Sequence, residues 1–512
     1  MASKWWTLLA VCLATFMLLL DITVVNVALP DIRKELGASF TDLQWVVDAY
    51  ALGLAAILLA SGSLGDLLGR RRIFVGGIAL FVISSLVCGL AGSPTMLNIA
   101  RGFQGVGGAM MFATALALIA QEFAPQERGT AFGFWGATTG FAVAVGPLVG
   151  GALTEGLGWE WIFFVNVPIG LATAAMTLAR VPESERDPSA SIDWAGLVTF
   201  SGALLCLVLA LIRGNDEGWG SALILGLFGA AVLLLAAFVA VERRGAEPML
   251  DLSLFRKPAF TGAQIVAFSL HASMFSMFLY LVLYLQNLLG YSPLEAGLRF
   301  LPVSLLSFLV APVAGKLSER LSVRVFMGAG LILVGCGLLL MSGIQPSDDW
   351  TTLLAGFVVA GIGIGCVNPP LATTAIGVVE PRRSGAASGI NSTFRQVGIA
   401  TGIAGLGALF QARVGDKLTE ALTGVPLPPG AEERLEEAVA SGGAETAVRA
   451  APPAAREAVA EAARRAFVDG LDEILVVAAL VAFMGGILAL VLVRRRDFYV
   501  APAPASDPQR AA

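Results

Sequence analysis

Long, nearly uncharged apolar stretches recur along the whole chain and alternate with short polar segments. Each stretch is close to the roughly 20 residues that a helix needs to cross the hydrocarbon core of a bilayer. The pattern therefore predicts an all-α polytopic membrane protein with fourteen transmembrane helices. The predicted spans are 6–29, 44–64, 73–91, 96–119, 130–153, 161–180, 194–212, 220–241, 260–288, 297–317, 324–343, 351–375, 391–411 and 472–493.

Composition narrows the class of protein further. The 512 residues are 56% hydrophobic and only 14% charged, with a mean hydropathy of +0.79. A soluble protein could not cover so much apolar surface, so we expect contact with a lipid bilayer and no nucleic-acid partner. The five cysteines lie inside apolar stretches without CxxC spacing, and the chain has a single histidine. We therefore expect no disulfide framework, no metal site and no bound cofactor.

The polar segments fall into two sets by charge. The short loops of one set carry Arg33, Lys34, Arg213 and few other basic residues, and the first apolar stretch is too long for a cleavable signal peptide. The positive-inside rule then places the other set and both termini in the cytoplasm, as an even number of helices requires. We expect the cytoplasmic membrane of a bacterium. The basic set comprises Lys4, Arg70, Arg71, Arg72, Arg128, Arg186, Arg243, Arg244, Arg256, Lys257, Lys316, Arg320, Arg324, Arg382, Arg383, Arg494, Arg495 and Arg496.

Two segments differ from the rest. Residues 412–471 form a long predicted outer loop in which apolar residues recur at helical spacing around Leu435 and again around Val459. This pattern predicts two short amphipathic helices over the outer face, and a solvated spacer is the alternative. Residues 498–512 are rich in proline and alanine and are predicted to be a disordered cytoplasmic tail.

The chain also contains an internal pseudo-repeat. The stretch Pro125–Gly133 matches Pro381–Gly389 at an offset of 256 residues, and Gly62–Asp66 matches Gly315–Glu319 at an offset of 253. Two matches at nearly one offset predict two related six-helix bundles, residues 1–186 and 251–497. Residues 187–250, with the seventh and eighth predicted helices, are then an inserted pair.

Asp21 is the only ionisable residue inside the first predicted helix. A carboxylate in hydrocarbon costs at least about 2.5 kcal/mol, so such residues face a bundle interior, a cavity or a charged partner. Counting along the helices places Asp21, Asp48 and Arg101 in the outer half of one bundle, where either carboxylate could pair with the guanidinium. Protonation of the carboxylate would release Arg101, and ionisation would close the pair. The alternatives are a helix-orienting hydrogen bond for Asp21, water contact for Asp48 and a structural ion pair for Arg101.

Several motifs resemble those of the fourteen-helix drug:proton antiporters of the major facilitator superfamily. The stretch Leu20–Pro30 resembles their first-helix signature. The resemblance continues through Trp161–Gly170, Tyr284–Pro293 and Arg395–Gly398, so it covers essentially the whole chain. The other matching motifs are Gly62, Asp66, Gly69, Arg70 and Arg71 between helices 2 and 3; Arg101, Gln104 and Gly105 in helix 4; and Gly133, Gly146, Pro147, Gly150 and Gly151 in helix 5, with Ala142 in place of the middle glycine.

The resemblance implies roles for these residues. Asp66 would latch the inner side shut by capping a helix N-terminus or by pairing with a basic residue; plain positive-inside topology is the alternative reason for the arginines. The glycines of helix 5 would make a tight contact between the two halves that seals the inner leak path, and ordinary helix packing is the alternative. Asp48, in its short sequence context, resembles the residue found in family members that export lipophilic cations.

Three polar residues could line a central cavity: Asn26, His271 and Asn368. For His271 we favour a neutral, hydrogen-bonded core histidine over a proton carrier. Asn368 precedes two prolines and predicts a broken helix beside the cavity. The aromatic and methionine residues of helices 1, 4 and 9 could form a drug pocket, with lipid-facing core as the alternative.

The sequence thus predicts a monomeric secondary transporter rather than an enzyme. It would exchange protons for lipophilic, cationic drugs or toxic compounds by alternating access, driven by the proton gradient. A dedicated exporter of an endogenous antibiotic or metabolite is the second hypothesis. A membrane-embedded transferase would need an acid near His271, which has none within ten positions. A sensor would need a long soluble domain.

Overall fold

A computed structural model describes residues 3–184, 193–245, 250–422, 435, 439 and 455–499. These residues form helices and no β-strand. The α-helices are α1 Ser3–Leu36, α2 Phe40–Leu68, α3 Arg70–Gly89, α4 Pro94–Glu122, α5 Arg128–Leu157, α6 Trp161–Phe164, α7 Asn166–Arg180, α8 Trp194–Glu217, α9 Ala222–Arg244, α10 Pro258–Leu270, α11 Ser276–Leu283, α12 Pro293–Arg299, α13 Leu301–Ser318, α14 Val323–Leu340, α15 Leu354–Gly377, α16 Ser384–Ala421 and α17 Arg456–Leu492. Short 3₁₀ segments occupy Leu252–Arg256, Trp350–Leu353, Pro381–Arg383 and Arg495–Asp497, and π-helical turns occupy His271–Phe275 and Tyr284–Leu288.

Thirteen helices of the described chain are long and apolar enough to cross a membrane. The remaining predicted span is α5, whose 30 residues extend about 45 Å at 1.5 Å per residue. The predicted all-α polytopic fold is therefore confirmed. A polar cap starts the second helix after a short loop: Ser39 Oγ accepts from Asp42 N at 3.2 Å, and Asp42 Oδ2 accepts from Ser39 N at 2.9 Å.

The packing separates three groups of helices. Helices α1–α7 pack on one another, α10–α17 form a second bundle, and the hairpin of α8 and α9 lies beside them. In α9 only 17% of the membrane-length apolar segment is buried, whereas in α4 the buried share is 78%. Val208 on α8 is buried against Leu52 and Ala55 of α2, and α8 also contacts α16. The inserted pair therefore touches both bundles from the periphery.

The segment predicted as the loop 412–471 differs from that prediction at both ends. Helix α16 continues to Ala421 because Val414 and Leu418 remain buried beyond the predicted span. Helix α17 already begins at Arg456, and the apolar positions from Val459 to Phe467 pack inward, with the Phe467 ring 5.1 Å from that of Phe410. The second amphipathic stretch is thus the first part of a long helix. Most of 423–454, the first predicted amphipathic helix included, and the tail 500–512 lie outside the described residues.

The ninth predicted span is helical from Pro258 to Leu288 but not uniform. Its first π-helical turn starts at His271, and the hydroxyl of Ser276 lies 3.0 Å from His271 O and 3.1 Å from Ile399 O on α16. Turns of this kind occur often at functional sites. This one brings α10 and α16 together at the middle of the second bundle.

Candidate functional site

Asp21 and Arg101 form a fully enclosed ion pair. Arg101 Nη1 donates to Asp21 Oδ2 at 2.6 Å, and the two side chains are 2% and 0% exposed. Asp21 lies on α1 and Arg101 on α4, so the pair ties the first bundle together. A charge-assisted bond this short between two buried side chains is strong, and removing either partner leaves the other buried and unpaired.

Two amides complete the site around Asp21. Gln104 Nε2 and Asn166 Nδ2 donate to Asp21 Oδ1 at 2.8 and 2.9 Å. Gln104 Oε1 in turn accepts from Arg101 Nη1 at 2.8 Å, and Asn166 Nδ2 also lies 3.1 Å from the hydroxyl of Ser85. We call Asp21, Arg101, Gln104 and Asn166 the carboxylate cluster. Three donors from two helices thus surround the Asp21 carboxylate.

Arg101 keeps contacts that do not depend on Asp21. Its Nε donates to Val46 O at 2.9 Å, and its guanidinium lies 4.2 Å from the centre of the Tyr50 ring. Close approach of α4 to α2 makes this possible: a Cβ at Gly105 would collide with the carbonyl of Tyr50. Asp48 lies half-buried on α2. The carboxylate bonded to Arg101 is that of Asp21.

One end of the molecule carries Arg70, Arg128 and Arg383 and is here called the basic end. The two bundles are joined to one another there. Asp66 Oδ1 accepts from Arg70 Nη2 at 2.8 Å and from Gly385 N at 3.0 Å, and its Oδ2 accepts from Ala386 N at 2.9 Å. Asp66 thus pairs with a basic residue and caps the first turn of α16 in the other bundle. We call this contact the first latch.

A second latch repeats the arrangement with the bundles exchanged. Glu319 at the end of α13 accepts from Thr130 N and Thr130 Oγ1 at 3.2 and 3.1 Å, in the first turn of α5. In both latches glycine backbones touch, Gly62 against Gly385 and Gly129 against Gly315, so that a Cβ at any of the four would collide with a carbonyl. A cavity of about 510 Å³ lies between the latches, lined by Arg70 and Glu319 among others.

The predicted glycine stripe of α5 divides between two neighbours. A Cβ at Gly133 would lie 2.8 Å from Pro312 of α13, so this glycine does lie between the bundles. Gly146 and Gly150 instead face Thr23 and Val24 of α1 within their own bundle, and a Cβ at Gly151 would meet no described atom within 4 Å. The inter-bundle contact predicted for the whole stripe was therefore wrong for these three: helical periodicity turns Gly146 and Gly150 toward α1, and Gly151, about five turns from Gly133, lies where no described neighbouring helix approaches it. The side chain of Pro147 lies outside the described residues.

Gly69 ends α2 and begins α3 with φ of 108°, a conformation that favours glycine. The same junction is held by Glu183, which accepts from Arg71 N at 3.0 Å and which sequence analysis did not identify. It caps α3 as Asp66 caps α16.

The three candidate cavity residues have different surroundings. His271 is buried, its Nδ1 lies 2.8 Å from Ala267 O, and its ring stacks on Phe275 at 4.4 Å. It is therefore a buried, hydrogen-bonded histidine, as the interpretation favoured from the sequence describes. Asn368 is 2% exposed on α15, and its Oδ1 has no hydrogen-bond partner in the described part of the chain. The broken helix predicted here was wrong, because α15 runs continuously from Leu354 to Gly377 with Pro369 and Pro370 inside it. The side chain of Asn26 lies outside the described residues.

Comparison with known proteins identifies the family. The model of the Major Facilitator Superfamily matches residues 11–403. The chain belongs to the major facilitator superfamily. Membership makes it a membrane transporter rather than an enzyme, as predicted.

Relatives of this transporter are resistance and export proteins. It is 34% identical to the tetracenomycin C resistance and export protein of Streptomyces glaucescens over 95% of this chain and 91% of that protein. It is 37% identical to the multidrug resistance protein Stp of Mycobacterium tuberculosis over 79% and 76%. The puromycin resistance protein of Streptomyces alboniger is 38% identical over 78% and 80%.

Solved structures share the fold of this superfamily member at low identity. The human organic anion transporter MFSD10 matches with a TM-score of 0.62 and 14% identity over 95% of this chain and 99% of that one. A bacterial homologue of the lysosomal transporter Spinster matches with a TM-score of 0.54 and 21% identity over 98% and 99%.

Proposed function

We propose that this transporter is a proton-coupled antiporter that exports lipophilic drugs or toxic compounds from the cytoplasm. The carboxylate cluster is the observation that supports the proposal most. It places one titratable group inside a bundle, where the hydrogen bonds to that group can change when it is protonated. The resistance and export functions named for the relatives support the class of substrate. In this proposal the basic end faces the cytoplasm and a single chain is the working unit.

The chemistry follows from the bonds of Asp21. A protonated carboxyl donates one hydrogen bond and cannot accept from every donor that surrounds the ionised form. Protonation therefore loosens Arg101, which keeps Val46 O and the Tyr50 ring. Rotation of the Gln104 amide would present an oxygen to the new hydroxyl. The charge of the cluster thus changes while its arginine stays buried.

The proton gradient supplies enough energy for this exchange. One proton that moves through 100 mV releases about 2.3 kcal/mol. At about 1.4 kcal/mol per tenfold ratio, this supports a substrate gradient of roughly fifty-fold. Coupling requires that the proton and the substrate do not cross in the same step. The latches at the basic end help to separate the two steps, because they close the bundles against one another.

Asp21→Asn tests the proposal. The amide keeps the size of the side chain but cannot take up or release a proton, so we expect proton-driven uptake into inverted membrane vesicles to fall to background. The matched control is Asp31→Asn, an exposed aspartate near the end of the same helix, which should transport as the wild type does. Purification as a single folded species would show that the Asp21 variant is intact. Full proton-driven uptake by it would refute the coupling role.

Dedicated export of one endogenous compound is the second candidate. It is favoured by the names of two relatives, the tetracenomycin C export protein and a probable actinorhodin transporter from Streptomyces coelicolor, which is 35% identical over 87% of this chain. Growth of a pump-deficient host on a panel of unrelated drugs separates the two: broad protection indicates multidrug export, and protection against one chemical class indicates a dedicated exporter.

A further inference from the structure

Arg395 is a second deeply buried arginine, and it lies in the other bundle. It is 3% exposed and sits on α16 about three turns, or roughly 16 Å, from the first residue of that helix, Ser384. Since the hydrocarbon core of a bilayer is about 30 Å thick, this position is close to the middle of the membrane. A charge at that depth is expensive and marks function by default.

Arg395 differs from Arg101 in having no carboxylate bonded to it among the described residues. Its Nε donates to the neutral side chain of Asn391 at 3.0 Å, and its Nη2 is buried without a partner in the described part of the chain. No aspartate or glutamate occurs in 258–288, 301–318, 323–340, 354–377, 384–412 or 474–492 of the sequence. In the first bundle Asp21 neutralises Arg101, whereas Arg395 forms no ion pair among the described residues. A buried charge in that condition is costly unless a partner arrives.

The guanidinium of Arg395 lies between the two bundles. It sits 5.2 Å from the centre of the Trp135 ring, on α5 of the first bundle. The Trp135 ring is fixed by the bond from its Nε1 to Thr15 Oγ1 at 3.0 Å. The π face of Trp135 therefore covers a cation that forms no ion pair in the part of the chain that the structure describes, and it would leave with α5 when the bundles separate.

Two more unpartnered polar groups, one on α15 and one on α13, face α5. The Oδ1 of Asn368 and the Oγ of Ser307 are buried without hydrogen-bond partners among the described residues. A Cβ at Gly136 would lie 3.3 Å from the Cβ of Asn368, and one at Gly140 would lie 3.3 Å from Ser307 Oγ. A cation, an amide and a hydroxyl thus face α5 with bonding capacity unused. Buried polar groups are normally satisfied, so this surface is built for something absent from the closed state.

We propose that Arg395 recognises the substrate and that the substrate class is a lipophilic compound with an acidic group, a carboxylate or a phenolate. This rests on the proposed export function and names its substrate. When α5 moves away, the anion takes the place of Trp135 and bonds the free edge of the guanidinium, and Asn368 and Ser307 bond polar groups of the same molecule. The expectation of a cationic substrate came from Asp48, which lies on α2 and not at this surface.

The test compares acids with cations in one assay. A pump-deficient host carries the wild-type chain or Arg395→Gln and is challenged with three lipophilic acids (nalidixic acid, fusidic acid, novobiocin) and three lipophilic cations (ethidium, rhodamine 6G, tetraphenylphosphonium). We expect the wild type to protect against at least one acid, and its apparent KM for that acid in inverted vesicles to rise at least about tenfold in the variant. Export of any transported cation should be unchanged.

Three further variants make the result specific. Arg395→Lys keeps the charge without the planar fork and should retain part of the acid transport. Arg395→Glu should lose acids while Asp21-dependent proton coupling persists. Arg413→Gln removes a half-exposed arginine of the same helix, paired with Glu473 at 2.9 Å, and should leave the selectivity unchanged.

The outcomes separate the inference from the function on which it rests. Wild-type protection against cations alone, or acid transport that survives in a folded Arg395→Gln protein, overturns the inference and leaves proton-coupled export standing. Absence of protection against all six compounds counts against the export function itself.

Discussion

At the scale of single residues, Asn166 extends the site beyond the ion pair. It begins α7 and donates to Asp21 Oδ1, while its second partner is Ser85 on α3. Asp21 is thereby joined to α3, α4 and α7 by polar bonds. A change in the charge of Asp21 acts on all of these helices, which is what a proton that drives motion of a bundle requires.

Replacing Asn166 should weaken proton-driven transport. Asn166→Leu removes one of the three donors to Asp21 and also the link from the cluster to Ser85 on α3. A bond to a charged group contributes about 1.5–3 kcal/mol, so we expect proton-driven uptake into inverted vesicles to fall about tenfold or more. Asn215→Leu on α8, remote from the cluster, serves as control. Unchanged uptake by Asn166→Leu would mean that the amide has no part in the coupling.

The sequence identified the charged members of this site more readily than the amides. Asp21 and Arg101 are visible because each is an ionisable residue in an apolar helix, and Gln104 belonged to a recognisable motif. Asn166 is uncharged, and 145 residues separate it from Asp21, so only the fold brings the two together. The choice of Asp21 over Asp48 as partner of Arg101 also needed the fold, since both lie at suitable depths along their helices.

At the scale of helices, the two latches use one device with different strength. A carboxylate bonded to the N–H groups of a helix N-terminus also meets the positive end of the helix dipole. Asp66 accepts from two backbone N–H groups and from Arg70, and its side chain is 12% exposed. Glu319 lies at an exposed position and, within the described ranges, accepts from Thr130 only. The first latch should therefore contribute more to closure.

Neutral variants of the two carboxylates measure this difference. In a chain with its native cysteines replaced, Ser388→Cys reports opening because Ser388 is fully buried beside the first latch. We expect Asp66→Asn to increase the rate of its modification by an impermeant maleimide at least tenfold, and Glu319→Gln to increase it two- to threefold, since exposed pairs contribute about 1 kcal/mol or less. Equal rates in the two variants would contradict the unequal strength of the latches.

Helix positions were predicted better than helix lengths. Apolar run length finds the part of a helix within lipid, so the ends of α16 and α17 were missed where mixed polar sequence continues the helix above the membrane. The orientation of the α5 glycines was missed for a related reason: spacing shows that Gly133, Gly146 and Gly150 can pack closely, but not whether α1 or α13 is the neighbour. The latch role of Glu319 was within reach, because its segment already matched that of Asp66.

At the scale of the whole molecule, the bundles meet directly, through side chains and glycine backbones of their packed helices. The latches and the Trp135–Arg395 contact join α2 and α5 to α13 and α16, and α8 and α9 lie at the periphery. Each bundle has its own polar centre, the carboxylate cluster in one and Arg395 in the other. The family and its fold were predictable from motif order, since several motifs occurred on the expected helices.

The predicted domain boundary can be tested by cutting the chain there. Residues 1–186 and 187–512, coexpressed as separate polypeptides, should reassemble and restore at least about a tenth of wild-type drug protection, because the surfaces that join them are intact. Either part alone should give none. Copurification of the two parts measures assembly independently of transport. Failure of two stable, membrane-inserted parts to associate would show that the covalent connection, rather than the buried contacts, holds the bundles together.

The crossed contacts of the two latches also bear on ancestry. Gly62 and Asp66 of the first bundle meet the segment of Gly385, and Gly315 and Glu319 of the second meet that of Gly129. In a twofold homodimer every contact between two patches occurs twice in this reciprocal way. One gene for a six-helix subunit could therefore have built both latches before duplication and fusion. After fusion the two copies no longer had to remain identical, and today one latch has an exposed glutamate while the other has a largely buried aspartate with its own arginine.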